Sequence, residues 1–125
     1  MYINCHTYYS LRYGVLSVPQ LLQLAKEHTI ESLALTDINS TSACLEFIRE
    51  ATKENLKPVV GADIRNGNTR CYVCLAKNNK GYLEINQFLT QYLHAKKDFP
   101  EIPPSFLNVI TIIPFEKILE YELES

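Results

Sequence analysis

Residues 3–14 read INCHTYYSLRYG, and this stretch decides the fold. An apolar run reaches Cys5, then His6 opens a polar, aromatic segment that closes on Gly14. That is the outline of a short strand whose chemistry-capable side chains begin where the strand stops. In α/β proteins, sites are built at the carboxyl ends of strands. Two later apolar runs stop in the same way, at Thr36-Asp37 and at Ala62-Asp63. Three polar endings, carried by His6, Asp37 and Asp63, are therefore expected to share one rim of a sheet.

Outward from that stretch, Ser17-Val18-Pro19-Gln20 combines an N-cap serine, a proline in the first turn and the glutamine of a capping box. A helix should start there, with Leu21, Leu22, Leu24 and Ala25 as its apolar stripe and His28 at its close. Residues 32–36 read as a buried parallel strand, so strand, helix and strand imply a right-handed crossover. Asn39-Ser40-Thr41-Ser42 offers caps for a second helix, in which Ala43, Cys44, Phe47, Ile48 and Ala51 recur at helical spacing. Residues 57–65 are a third strand, and Asn66-Gly67 is a two-residue hairpin signal into an antiparallel strand over 70–76. Asn78 or Asn79 caps a helix with Ile85, Phe88, Leu89, Tyr92 and Leu93 on its apolar face, at some cost from Gly81. The stretch KKDFPEIPPSF is expected to be a surface connection, with His94 a solvated helix-end residue. Residues 108–113 are a β-branched strand, and Pro114 starts a last helix with Phe115, Ile118, Leu119 and Leu123 on one face.

A chain of 125 residues with 46% hydrophobic content suits one globular domain. The net charge of -2 supplies no basic field of the kind that binds nucleic-acid phosphates autonomously. No charged-then-apolar leader precedes the first strand and no apolar run nears the ~18 residues of a membrane span, so a cytoplasmic protein with no membrane partner is expected. The cysteines are Cys5, Cys44, Cys71 and Cys74. Cys71-x-x-Cys74 has a zinc or redox spacing. On a strand, however, positions three apart face opposite sides unless a bulge intervenes, so buried reduced thiols are expected.

Four segments in this order, INCHTYYSLRYG, LALTDIN, KPVVGADI and CLAKNNKGYLEIN, resemble the N-terminal polymerase-and-histidinol-phosphatase (PHP) domain of bacterial DNA polymerase III alpha subunits. The resemblance covers roughly residues 1–95, and the last segment looks like the polymerase branch rather than stand-alone PHP phosphatases. It implies the N-terminal part of a distorted TIM-like barrel, mostly parallel with one antiparallel hairpin. Because such a barrel takes ~250 residues, residues 1–125 are expected to be one incomplete PHP-like domain of a larger polymerase. The polymerase's own carboxylates and magnesium would belong to other parts of that protein, so no catalytic or cofactor-binding residue is assigned here.

The resemblance also implies a metal cluster at the strand ends, and here the sequence departs from the pattern. The opening His-x-His is Asn4 and His6, the acid before the motif's glycine is Tyr13, and the histidine of Thr-Asp-His is Ile38 after Thr36 and Asp37. Asp63 stands where many relatives carry glutamate. His6 and Asp63 are thus the remaining metal ligands, a vestigial set that would take zinc or manganese if it still binds. Asparagine donates poorly and isoleucine not at all to ions held at ~2.0–2.2 Å. Asp37 is expected to cap the loop at residues 40–42, and Ser10, Tyr8, Tyr9 and Tyr13 to pack as wall groups. Two functions follow from the resemblance. One is a structural module of a DNA-directed DNA polymerase that contacts the remaining polymerase domains, a proofreading exonuclease subunit and, through the parent protein, DNA. The other is a metal-dependent phosphoesterase or 3'-5' exonuclease.

Overall fold

A computed structural model describes residues 17–114 together with the backbone of residues 2–5. The elements run β1 (Tyr2–Cys5), α1 (Val18–Glu27), β2 (Ser32–Ile38), α2 (Cys44–Lys53), β3 (Lys57–Asn66), β4 (Thr69–Ala76), α3 (Asn79–Ala95) and β5 (Val109–Ile112). The expected loop after Cys5 and the expected helix after Pro114 lie outside the described residues. Helix α1 starts as its sequence requires: the Gln20 N–H donates to Ser17 Oγ while Gln20 Oε1 accepts from the Ser17 N–H at 2.8 Å. His28 is its exposed C-cap. Leu24, expected in the apolar stripe, is 40% exposed and stands off it. Helix α2 begins only at Cys44, and its N-cap Ala43 makes no side-chain cap bond.

The five strands pair in chain order, β1-β2-β3-β4-β5. β1 with β2 and β2 with β3 are parallel, as the βαβ reading requires, whereas β3 with β4 and β4 with β5 are antiparallel. The expectation of mostly parallel strands with one antiparallel hairpin is therefore corrected to a mixed sheet with two junctions of each kind. The physical reason is the connection after α3: from Phe99, held at Asn66, it runs back to Asn108 beside Gly81 at the start of the helix, so β5 begins next to the end of β4 at Ala76 and runs against it. Among the described residues the strands form an open sheet, and no strand pairs β5 back to β1.

The hairpin is one residue off its expected frame. Asn66 still pairs with Thr69, so Gly67-Asn68 is the loop and Gly67 supplies the positive φ of 61°. Between Ile64 and Arg65 the register slips: Ile64 faces Tyr72 but Arg65 faces Arg70, which leaves Cys71 as one extra residue on β4.

One face of the sheet is covered by the helices. Leu33, Leu35 and Val60 pack with Val18, Leu22, Cys44 and Phe47 of α1 and α2. Ala62, Ile64, Tyr72 and Cys74 pack with Ile85, Phe88 and Leu89 of α3. The connection after α3 is more than a surface strap. Phe99 is 4% exposed, its rings meet Phe88 and Tyr92, and Asn66 clamps it by accepting from the Phe99 N–H and donating to the Phe99 carbonyl.

The α3 entrance explains the KNNKGYLE segment. Asn78 caps the helix by accepting from the Gly81 N–H at 3.0 Å and reaches Asn108 through its amide. Glu84 takes the backbone N–H groups of Leu107 and Asn108 at 3.1 and 2.9 Å. A Cβ on Gly81 would stand 2.0 Å from the Asn108 carbonyl oxygen. The glycine that intrinsic propensity marks as a cost is what lets the chain entering β5 lie against the helix.

Candidate functional site

Parallel register sets the rim. Thr36, Asp37 and Ile38 of β2 pair with Gly61, Ala62 and Asp63 of β3, so Asp37 and Asp63 lie at the same end of the sheet. Residues in register on parallel strands share a face and successive residues alternate. Asp37 therefore shares a face with Ala62, under the helices, while Ile38 and Asp63 stand side by side on the opposite face.

Asp37 is 1% exposed and acts on Cys44. Burial first, and the Asp37 carboxylate second, push the Cys44 thiol up to about 12. In the loop at residues 40–42 the Ser42 N–H donates to Ser40 Oγ at 3.1 Å. Asn39, in the left-handed region at φ 48°, prolongs the β2–β3 ladder. Its N–H donates to the Asp63 carbonyl at 3.0 Å, its amide donates to the Arg65 carbonyl at 2.8 Å, and its Oδ1 accepts the Arg65 N–H at 2.9 Å.

Asp63 is 0% exposed, and its Oδ2 accepts from Arg65 Nη2 at 3.0 Å and from Arg70 Nη2 at 3.4 Å. The side chain of Arg65 is 8% exposed and that of Arg70 is 40% exposed. Two positions apart on one strand, Asp63 and Arg65 share a face. Arg70 joins them because the bulge at Cys71 brings it opposite Arg65. Like charges directly across a strand pair repel, so the carboxylate between these guanidinium groups is what makes the pairing tolerable.

Among the described residues, Asp63 by itself does not make a divalent-ion site. Asp63 Oδ2 already accepts two charge-assisted bonds, and the neighbouring register position holds the alkyl side chain of Ile38. Among the described residues no three His, Cys, Asp or Glu side chains gather at one place. Of the other sequence candidates, His6, Tyr8, Tyr9, Ser10 and Tyr13 lie outside the described residues, and Asn4 is described only as backbone in β1. Arg65, Arg70 and Asn39 were missed. Asp63-x-Arg65 carries a legible signal in its strand period of two, whereas Arg70 depends on a bulge that nothing local announces.

The bulge also changes the cysteine geometry. Simple alternation would set Cys71 and Cys74 on opposite faces, yet both belong to the cluster beneath α3. Cys44, Cys71 and Cys74 are buried thiols, and burial pushes Cys74 up to about 12. On the helix side of the same rim, the Thr41 hydroxyl donates to the Asn86 side chain. Around that contact opens a polar cleft of about 480 Å³ lined by Asn39, Ser40, Thr90 and the exposed His94. No helix among the described residues is long and apolar enough to cross a membrane.

Comparisons with known proteins give the family and the fold. The model of the PHP domain family matches residues 3–120. The chain is 32% identical to the DNA polymerase III subunit alpha of Ureaplasma parvum over 88% of its length, covering 11% of that relative. It is 34% identical to the subunit of the same name from Staphylococcus aureus over 72% of its length, covering 9% of it. The chain thus spans about a tenth of the length of the curated relatives it matches. Among solved structures, a candidate metal-dependent phosphoesterase from Bifidobacterium adolescentis superposes on 75% of the chain and 32% of its own, with a TM-score of 0.57 at 15% identity. An amidohydrolase from Chromobacterium violaceum does so on 75% and 36%, with a TM-score of 0.50 at 18% identity. These two likenesses concern the fold.

Proposed function

The chain belongs to the PHP domain family, and on that premise we propose that it is the N-terminal PHP module of a replicative bacterial DNA polymerase, bracing the enzyme and offering a partner surface without hydrolysing phosphoesters itself. The relatives named DNA polymerase III subunit alpha support the polymerase assignment. The observation that carries the non-hydrolytic role is the Asp63 carboxylate, held by Arg65 and Arg70 with Ile38 beside it. A metal-assisted hydrolase needs open coordination positions and donors around the ion. This rim offers a neutralised carboxylate instead.

In this reading the β1–β5 sheet is the N-terminal part of a distorted barrel, and its partners are the remaining polymerase domains, a proofreading exonuclease subunit and DNA reached through the parent protein. Magnesium serves the parent's nucleotidyl transfer, and the setting is the cytoplasm. His6 and Asp63 are the remnant of a metal site. The test is the full-length protein carrying this module, assayed for primer extension and, in manganese or zinc, for phosphoester hydrolysis. The expected result is primer extension with no hydrolysis that depends on His6 or Asp63. Hydrolysis that disappears in both His6→Ala and Asp63→Asn would establish the metal-dependent exonuclease instead.

A further inference from the structure

We infer that Arg65 and Arg70 are resident cations of the rim, taking over from a divalent ion the task of holding the Asp63 carboxylate in place. The inference rests on the reading above for the place of the rim, and on the ion pairs for its content. Two guanidinium groups carry the same total charge as one divalent ion, and both aim Nη2 at the single oxygen Asp63 Oδ2. Arginine is charged at every physiological pH and matches carboxylate geometry, so this substitute needs neither metal supply nor a ligand histidine.

Three features built into the backbone serve this arrangement. Asn39 fixes the Arg65 peptide from both sides, the strand period puts Arg65 on the face of Asp63, and the one-residue bulge at Cys71 delivers Arg70. Had the ladder stayed in register, Cys71 would face Arg65. Ile38, in register with Asp63, removes the donor that a metal would next require. The two arginines are positioning residues: they act on the rim by fixing the Asp63 side chain through Oδ2.

The test uses the full chain purified without chelator. Elemental analysis and manganese titration followed by electron paramagnetic resonance should show no stoichiometric manganese, zinc or iron, and the melting temperature should be the same with and without EDTA. Arg65→Met should lower it by on the order of 10 °C, because it leaves a buried carboxylate short of its closest counter-charge. Adding Asp63→Asn to Arg65→Met should restore part of that loss, which separates charge coupling from simple loss of packing. Arg70→Gln, at a more exposed position, keeps the test available if Arg65→Met does not fold: it should lower the melting temperature by a smaller amount, and Asp63→Asn should cancel that coupling. Stoichiometric metal in the wild-type chain, lost in Asp63→Asn, would overturn the inference while leaving the polymerase assignment intact. Independent, additive effects of Asp63→Asn with each arginine substitution would overturn it as well. Absence of primer extension in the full-length protein would instead overturn the functional reading and leave the resident cations standing.

Discussion

Gly81→Ala should destabilise the domain, although helix propensity alone says the reverse. Replacing glycine by alanine inside a helix favours the helix by about 1 kcal/mol. Here the new Cβ would meet the Asn108 oxygen at 2.0 Å, the Asn108 carbonyl carbon at 3.0 Å and the Ala76 Cα at 3.3 Å. Contacts under 3.0 Å force a shift, and the nearest of these atoms is backbone, so residues 107–108 must retreat from α3 by about 1 Å merely to reach that floor. Four hydrogen bonds cross this junction: Lys77 N–H to the Asn108 oxygen at 2.9 Å, the Asn78 amide to Asn108 Oδ1 at 3.2 Å, and the two from Leu107 and Asn108 to Glu84. Overpacking costs ~1–3 kcal/mol, and each strained or lost bond costs about 1 kcal/mol. With two of these bonds lost, and set against the propensity gain, the net is a loss of about 2–4 kcal/mol, or a melting temperature lower by on the order of 10 °C. Thermal and urea denaturation followed by circular dichroism reads it directly. A Gly81→Ala chain that melts at or above the wild-type temperature would refute the reading of this glycine as a close-approach residue.

Gly61→Ala should be worse still, because its Cβ would stand 1.8 Å from the Cys74 carbonyl oxygen inside the β3–β4 ladder; loss of soluble expression is the expected readout. Ser17→Ala removes the Oγ that accepts the Gln20 N–H, while the backbone N–H of residue 17 keeps its bond to Gln20 Oε1, and should cost about 1 kcal/mol, seen as a lower urea midpoint with an unchanged slope. Cys44 and Cys74, pushed up to about 12, should resist alkylation at pH 8 until the chain unfolds. The sign for stability follows: folded-state pKa values above the ordinary thiol value of 9.0 favour the protonated native form, so this contribution is complete below pH 9 and is lost progressively as pH rises toward 12. Equal alkylation of native and urea-unfolded chain at pH 8 would contradict that burial.

What the sequence revealed and what it hid divide along a physical line. Ser17 with Gln20, Asn78 before α3 and the apolar periods of α1 to α3 are local signals, and the structure realises them except at Leu24 and Leu93, which are exposed. The α2 caps misled because four cap-capable residues in a row leave the start undetermined, and the helix waits until Cys44. The antiparallel placing of β5 and the burial of Phe99 depend on the path of residues 96–108 back along α3, which no window of sequence records. At the rim, the weakness of Ile38 as a ligand position was legible from residue type alone. That Asp63 would be claimed by arginines was only half legible, because Arg70 reaches it through a register slip at Cys71.

That slip bears on when the rim takes shape during synthesis. Asp63, Arg65 and Arg70 all lie on the β3–β4 hairpin, whose two-residue loop makes its pairing one of the shortest-range closures in the fold. Hairpins form in microseconds, while a chain lengthens by about 5–20 residues per second. Strand order equals chain order, so each later strand adds to an edge that already exists. A metal-ligand set drawn from the ends of β1, β2 and β3 is assembled only after all three have aligned, and its buried carboxylate is exposed to whichever ion arrives first. A carboxylate neutralised within its own hairpin settles its charge as soon as that hairpin closes, before the residues that follow β4 have been made.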